Sequence, residues 1–256
     1  MHPVLVDLGG FTISTFGIMM VAGFLAAWAL LTLEFARKGL PTGDAQTAVL
    51  IAALGGVVGA RLYYLADHSE ELASDFAGTI TSRGGLTWYG GFFLATLLLA
   101  LFLRARRIPL LRGLDCMAPP LALGYAIGRV GCYLVGDDYG GPASLPWAVA
   151  FPEGAPPIVT AVHPTQVYET LSAVLVFGVL WRLRTLPAPE GATAFLCLVL
   201  VGLERLLIEF LRVNPPVALG LTQAQMISLA VVLLGSAGLA AVSAGWRRRR
   251  AAPITA

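Results

Sequence analysis

Arg129 stands inside an apolar run. The stretch 123–140, LGYAIGRVGCYLVGDDYG, opens as an apolar helix, places a guanidinium in it and ends in a turn rich in Gly, Asp and Tyr. A charged side chain at bilayer depth costs roughly 2.5–3.5 kcal/mol on insertion scales, so it needs an anionic partner and reads by default as a functional site. Arg61, Arg205 and Arg212 are further guanidiniums in or beside apolar runs, and Glu169, Glu204 and Glu209 are acids in the same position. A guanidinium offers phosphate a planar fork of bidentate donors. Arg129 and Arg205 therefore suit the phosphate of a phospholipid headgroup, with its acyl chains left among the helices. The acids near these arginines do not obviously match them all, which argues against a purely structural set of ion pairs. Cys116, Cys132 and Cys197, with His2, His68 and His163, have neither disulfide nor metal-ligand spacing, so no metal and no cofactor is expected.

The elements that position these residues are set by composition. The chain has 256 residues, 57% hydrophobic and 12% charged, with a mean hydropathy of +0.78. Soluble domains carry about 25% charged residues, so this is an integral membrane protein. A span needs about 20 largely apolar residues. Seven are predicted, over about 13–33, 45–65, 88–103, 114–134, 167–183, 192–211 and 223–244. The expected fold is an all-α polytopic membrane protein, one integral domain over 1–256. Its N-terminus lacks the basic stretch of a cleavable leader, so the first apolar run is read as a retained span. The two long connections, 66–87 and 135–166, form a small extracytoplasmic cap. The second is rich in Pro and Gly and is expected to be ordered with little regular structure.

Basic residues fix the direction. Arg37 and Lys38, Arg104, Arg106, Arg107 and Arg112, Arg182 and Arg184, and Arg247 to Arg250 all fall on one side of seven spans. The positive-inside rule makes that side cytoplasmic, with the N-terminus outside and 246–256 a basic cytoplasmic tail. Spans two, four and six then run outward and the others inward. Phe16, Arg61, Trp88, Tyr89, Arg129, His163, Gln166, Tyr168, Glu169, Arg205 and Arg212 arrive at one level, near the outer face. Topology alone thus predicts a charged, aromatic-lined cavity in the outer leaflet. Gly131, Gly136 and Gly140 flank the charged turn and read as backbone shaping for it.

At these residues the chain resembles the bacterial prolipoprotein diacylglyceryl transferases. GRVGCYLVGDDYG at 128–140 is similar to the family's signature GRxGNFxNGExxG. RGGLTWYGG at 83–91, HPTQVYE at 163–169 and RLLIEFLR at 205–212 match three further family segments in order. The resemblance covers nearly the whole chain. It implies transfer of a diacylglyceryl group from phosphatidylglycerol to the lipobox cysteine of a prolipoprotein, giving a thioether and glycerol phosphate. It implies that Arg129 and Arg205 hold the phosphate, with Tyr89 the third catalytic position. Phe16, Cys132, Asp137, Gly140, His163, Gln166, Tyr168, Glu169, Glu209 and Arg212 would line the lipid and substrate site, and the level of Arg61 adds it to them. Partners would be phosphatidylglycerol, prolipoprotein signal peptides and the bilayer, with no nucleic acid. A monomer in the bacterial cytoplasmic membrane is expected.

Tyr89 occupies the place of the family's His, Cys132 and Val135 those of two Asn, and Phe16 that of a Tyr, while Asp138 adds a charge that the signature lacks. Two alternatives stay open beside the transferase: a divergent paralogue with another substrate or a non-catalytic, phospholipid-binding role, and a transporter. The charges gather at one face and no inverted repeat is visible, which counts against transport.

Overall fold

The structure is a computed structural model, and it describes residues 4–7, 12–70 and 87–251. Seven long helices carry the described chain: α1 (Thr15–Arg37), α2 (Gly43–Asp67), α3 (Trp88–Ala105), α4 (Leu110–Val135), α5 (Thr165–Leu183), α6 (Ala192–Glu209) and α7 (Gln223–Ala251). Three antiparallel hairpins join or precede them: β1 (Val4–Asp7) with β2 (Thr12–Ser14), β3 (Val149–Phe151) with β4 (Ile158–Val162), and β5 (Pro216–Ala218) with β6 (Leu221–Thr222). The apolar runs predicted from sequence each coincide with a helix. α1, α2 and α7 are long and apolar enough to cross a membrane by length and composition, and α3 is a shorter apolar helix. α4, α5 and α6 carry the charges of the site, and most of α3's preceding connection, 71–86, lies outside the described residues, together with Arg83 and His2.

Two features refine the expectations. The connection 135–166 contains the β3–β4 hairpin, with Val149 opposite Val162 and Phe151 opposite Ile158. Its Pro and Gly sit in the turn, while alternating Val149, Phe151, Ile158 and Val162 supply strand positions that the turn residues masked. The helix of the last span also runs on beyond 244, through the basic residues, to Ala251.

The chain divides into two compact units, 32–113 and 1–31 with 114–256. Within the first, α2 packs on α3 where glycine permits it. A Cβ on Gly59 would overlap the carbonyl oxygen of Gly90, and one on Gly90 that of Gly59. Such close approach of small residues favours helix association in lipid, where no hydrophobic effect drives apolar faces together. The Arg106 Nε donates to Asp44 Oδ1 at 2.8 Å just past α3.

In the second unit, Ala118 and Ala122 of α4, Val176 and Leu180 of α5 and Cys197 of α6 form a buried core. Asp115 of α4, 3% exposed, caps the start of α6 by accepting from Gly191 N at 2.8 Å and Ala194 N at 2.9 Å. That satisfies backbone donors that a helix N-terminus leaves without partners. The core and cap fix the near ends of α4, α5 and α6. The same packing therefore sets the relation of Arg129, Glu169 and Arg205 at the other ends.

Candidate functional site

Late α4 contributes Tyr125, Arg129 and Cys132, early α5 contributes Gln166, Glu169 and Ser172, and late α6 contributes Glu204, Arg205 and Glu209. Glu169 is the common partner. It is 1% exposed, a depth at which a carboxylate must be paired. Its Oε2 accepts from Arg129 Nη2 and, at 3.4 Å, from Arg212 Nη2. Its Oε1 accepts from the Tyr125 hydroxyl at 3.3 Å and lies 3.8 Å from Arg205 Nη1.

Two further carboxylates complete the set. Asp138 Oδ2 accepts from Arg129 Nη1 at 2.8 Å, and its Oδ1 from Arg212 Nη1 at 3.1 Å. Glu209 Oε2 lies 2.8 Å from Arg205 Nη2, one helical turn away. Its Oε1 accepts from Asn214 Nδ2 at 2.8 Å and Thr222 Oγ1 at 2.7 Å. Glu204 accepts from Ser172 Oγ at 2.9 Å. For three of the arginines the acids do match: Arg129, Arg205 and Arg212 meet Asp138, Glu169 and Glu209. Glu169 was hard to place because it is 40 residues from Arg129 in the chain, and Asp138 because it lies in the turn. Yet the cluster is not saturated. Arg129 Nε, Arg205 Nη1 and Arg212 Nε are buried donors without a hydrogen bond.

The turn after α4 is held from α5. Thr165 Oγ1 donates to the Asp138 carbonyl at 2.7 Å, and the buried Gln166 Nε2 donates to the Asp137 carbonyl. The His-Pro-Thr-Gln segment therefore presents the turn to Arg129. The backbone reverses here in the left-handed region, at φ 71° for Gly136 and 59° for Asp138. Glycine enters that region freely, and Asp is among the few other residues that tolerate it. At Gly140 a Cβ would meet Leu211 O at 2.6 Å and His163 Cβ at 2.9 Å. Only a missing side chain allows Gly140 N to reach His163 O at 2.9 Å. Tyr168 accepts from Trp147 Nε1 at 2.7 Å, and His163 Nδ1 lies 3.5 Å from the Tyr168 hydroxyl.

Burial pushes the Asp138 carboxyl upward, but Arg212 and Arg129 outweigh it and hold it below its ordinary value. Burial is the main cause that lifts its neighbour Asp137 above the ordinary value. Cys132 Sγ accepts from Arg129 Nη1 at 3.4 Å. Cys132, Asp137 and Asp138 bring potential ligand atoms within 4.8 Å of one another. The guanidinium that donates into this group makes it a poor cation site.

Of the residues singled out from sequence, Arg129, Cys132, Asp137, Gly140, His163, Gln166, Tyr168, Glu169, Arg205, Glu209 and Arg212 fall in one unit and interlock there. Phe16 belongs to the same unit and packs against Gly131, two residues from Arg129. Arg61 and Tyr89 belong to the other unit, where the Arg61 guanidinium lies 5.4 Å from the Tyr64 ring centre. Tyr125, Asn214 and Thr222 were not anticipated. Tyr125 has a readable signal, since it lies four residues before Arg129 on a helix and so shares its face. Asn214 and Thr222 have none, because the hairpin that delivers them is invisible in the hydropathy.

Residues 3–241 match the family model described as prolipoprotein diacylglyceryl transferase. The chain is 33% identical over 248 residues to a phosphatidylglycerol–prolipoprotein diacylglyceryl transferase of Rhodospirillum rubrum, covering 91% of this chain and 89% of that one. It is 29% identical to the enzyme of that name from Clostridium tetani, covering 92% and 95%. With that of Synechococcus elongatus the identity is 32%, over 93% and 86%.

Proposed function

This chain belongs to the prolipoprotein diacylglyceryl transferase family, and from that premise we propose how its own residues carry out the transfer. The substrates are phosphatidylglycerol and the lipobox cysteine thiol of a prolipoprotein. The cysteine sulfur, as thiolate, attacks the glyceryl carbon bonded to the phosphate oxygen. The C–S bond forms, the C–O bond breaks, and glycerol phosphate leaves with the bonding pair. Negative charge grows on the leaving phosphate, so donors set in advance around it lower the barrier.

The observation that supports this assignment is the group of buried guanidinium donors that make no hydrogen bond: Arg129 Nε, Arg205 Nη1 and Arg212 Nε. Buried donors of this kind are costly unless something fills them. A phosphodiester supplies several acceptor oxygens and a negative charge. Arg129 and Arg205 hold the phosphate. Glu169 and Glu209 hold the forks in position, and Arg212 bridges Glu169 to the turn. A free thiol has a pKa near 8.5, and neighbouring arginines favour its thiolate. Phe16, Arg61 and Tyr89 are assigned as lipid or substrate contacts from the sequence, with Tyr89 positioning the substrate.

The topology proposed with this function is seven spans, the N-terminus outside and the basic C-terminal end in the cytoplasm. It is supported by the twelve basic residues at the cytoplasmic ends. The site then faces the outer leaflet of the cytoplasmic membrane, where a prolipoprotein's cysteine emerges. A monomer is sufficient, since the clustered charges come from one chain.

The direct test incubates purified protein with phosphatidylglycerol and a lipobox peptide and weighs the product by mass spectrometry. The peptide is expected to gain one diacylglyceryl group on its cysteine. A peptide left unmodified by well-folded protein would sink the transferase reading.

A further inference from the structure

We propose that Asp138 is a displaceable carboxylate that occupies the arginine forks until the lipid phosphodiester takes its place, and so sets how strongly this chain holds anionic headgroups. The proposal rests on the reading of the site as a phospholipid site and adds a determinant of its specificity.

Three observations carry it. First, one carboxylate serves two guanidiniums, with Arg129 Nη1 at 2.8 Å and Arg212 Nη1 at 3.1 Å. That is the arrangement a phosphate adopts between two arginines. Second, the members differ in depth. The side chains of Arg129 and Arg212 are each 10% exposed and Glu169 is 1% exposed, whereas Asp138 is 50% exposed. Asp138 can therefore turn to water at little desolvation cost, and Glu169 cannot. Third, the site already holds carboxylates for its arginines: Arg129, Arg205 and Arg212 meet Asp138, Glu169 and Glu209, and Asp137 lies beside Asp138. Glu204 stands beside them on Ser172 and, when ionised, only adds negative charge. A phosphodiester that entered without displacing Asp138 would place two anions on the same forks. With Asp138 turned out, one carboxylate charge leaves the forks of Arg129 and Arg212, and one phosphodiester charge takes its place.

Asp138 is well suited to moving alone. It lies on the turn after α4, at φ 59°, and the hydrogen bond from Thr165 holds its main chain while leaving the side chain free to rotate. Displacement then needs only a side-chain rotation, with the turn and the arginines left in position.

The test compares wild type with D138N, D138G and D138E, each purified in detergent. Asn and Gly suit the left-handed backbone at this position, so two independent variants remove the charge. Binding is measured to micelles containing phosphatidylglycerol and to micelles containing only phosphatidylcholine, and KM for phosphatidylglycerol is measured in the transfer assay. D138N and D138G are expected to bind phosphatidylglycerol at least about fivefold more tightly than wild type, equivalent to about 1 kcal/mol. KM should fall in parallel, with no gain for phosphatidylcholine. D138E restores the charge and should return affinity toward wild type. Two charge-free variants that bind phosphatidylglycerol no better than wild type would overturn the proposal. So would variants that no longer fold, since Asp138 would then be structural. A wild type without transfer activity would instead strike the transferase reading, and the binding comparison would still decide the role of Asp138.

Discussion

Arg129 has two tasks that a single substitution separates. It neutralises the buried Glu169 and donates to Asp138, and in the proposed function it offers its fork to the substrate phosphate. Arg129→Lys keeps the charge and loses the fork. Its expected effect is a fold that survives and a fall of roughly 10²–10³ in kcat/KM, the range for losing one transition-state donor. Arg129→Ala removes both and leaves Glu169 without its closest cation, which costs about 3–5 kcal/mol when a buried pair is broken. Thermal unfolding together with the transfer assay distinguishes the two outcomes. Equal activity of wild type and Arg129→Lys would remove the fork from the mechanism. The depressed Asp138 has a pH signature. Its folded value lies below the ordinary carboxylate value, so its contribution to stability is present above that ordinary value, near pH 3.9, and is lost as pH falls through the folded value. Asp137 is raised and acts in the opposite sense. Between about pH 5 and pH 3, D138N is therefore expected to lose less unfolding temperature than wild type. A steeper loss in D138N would contradict the ion pairs at Arg129 and Arg212.

The elements carry predictions of their own. Asp115 caps α6 from α4, at the ends away from the charged cluster. Asp115→Ala removes both acceptors and should cost about 0.5–2 kcal/mol, the range for a lost helix cap. Because the cap helps fix α6, Arg205 and Glu209 should shift with it, and KM for phosphatidylglycerol should rise. A variant that is less stable yet unchanged in KM would show that α6 is held by its core contacts alone. At the α2–α3 crossing, Gly59→Leu places a side chain against the backbone of Gly90, and overpacking of this kind costs about 1–3 kcal/mol. Helix boundaries were legible in the sequence because hydropathy runs and basic ends mark them. The hairpins were not. β5–β6 joins α6 to α7 in a stretch that reads as turn residues, yet its Thr222 and the nearby Asn214 fix Glu209. The Arg129–Glu169 pair was half-legible. Each residue was conspicuous as a charge in an apolar run, but their pairing depends on how α4 packs against α5, and no local pattern encodes that.

At the scale of the whole molecule, the distribution of basic residues predicts orientation. A reporter fused after Arg250 should be active in its cytoplasmic form and silent in its exported form, and an exported C-terminal end would overturn the seven-span topology. The same scale gives the site a history during synthesis. Arg129 leaves the ribosome 40 residues ahead of Glu169, a wait of about two to eight seconds at about 5–20 residues per second. Asp138 follows after only 9 residues. The guanidinium is therefore followed closely by a counter-ion on the turn that ends its own helix, and it gains Glu169 as a second partner only when α5 arrives. The carboxylate that meets two arginines in the folded site thus serves, in the newborn chain, as the escort available to an arginine-bearing helix before Glu169 exists.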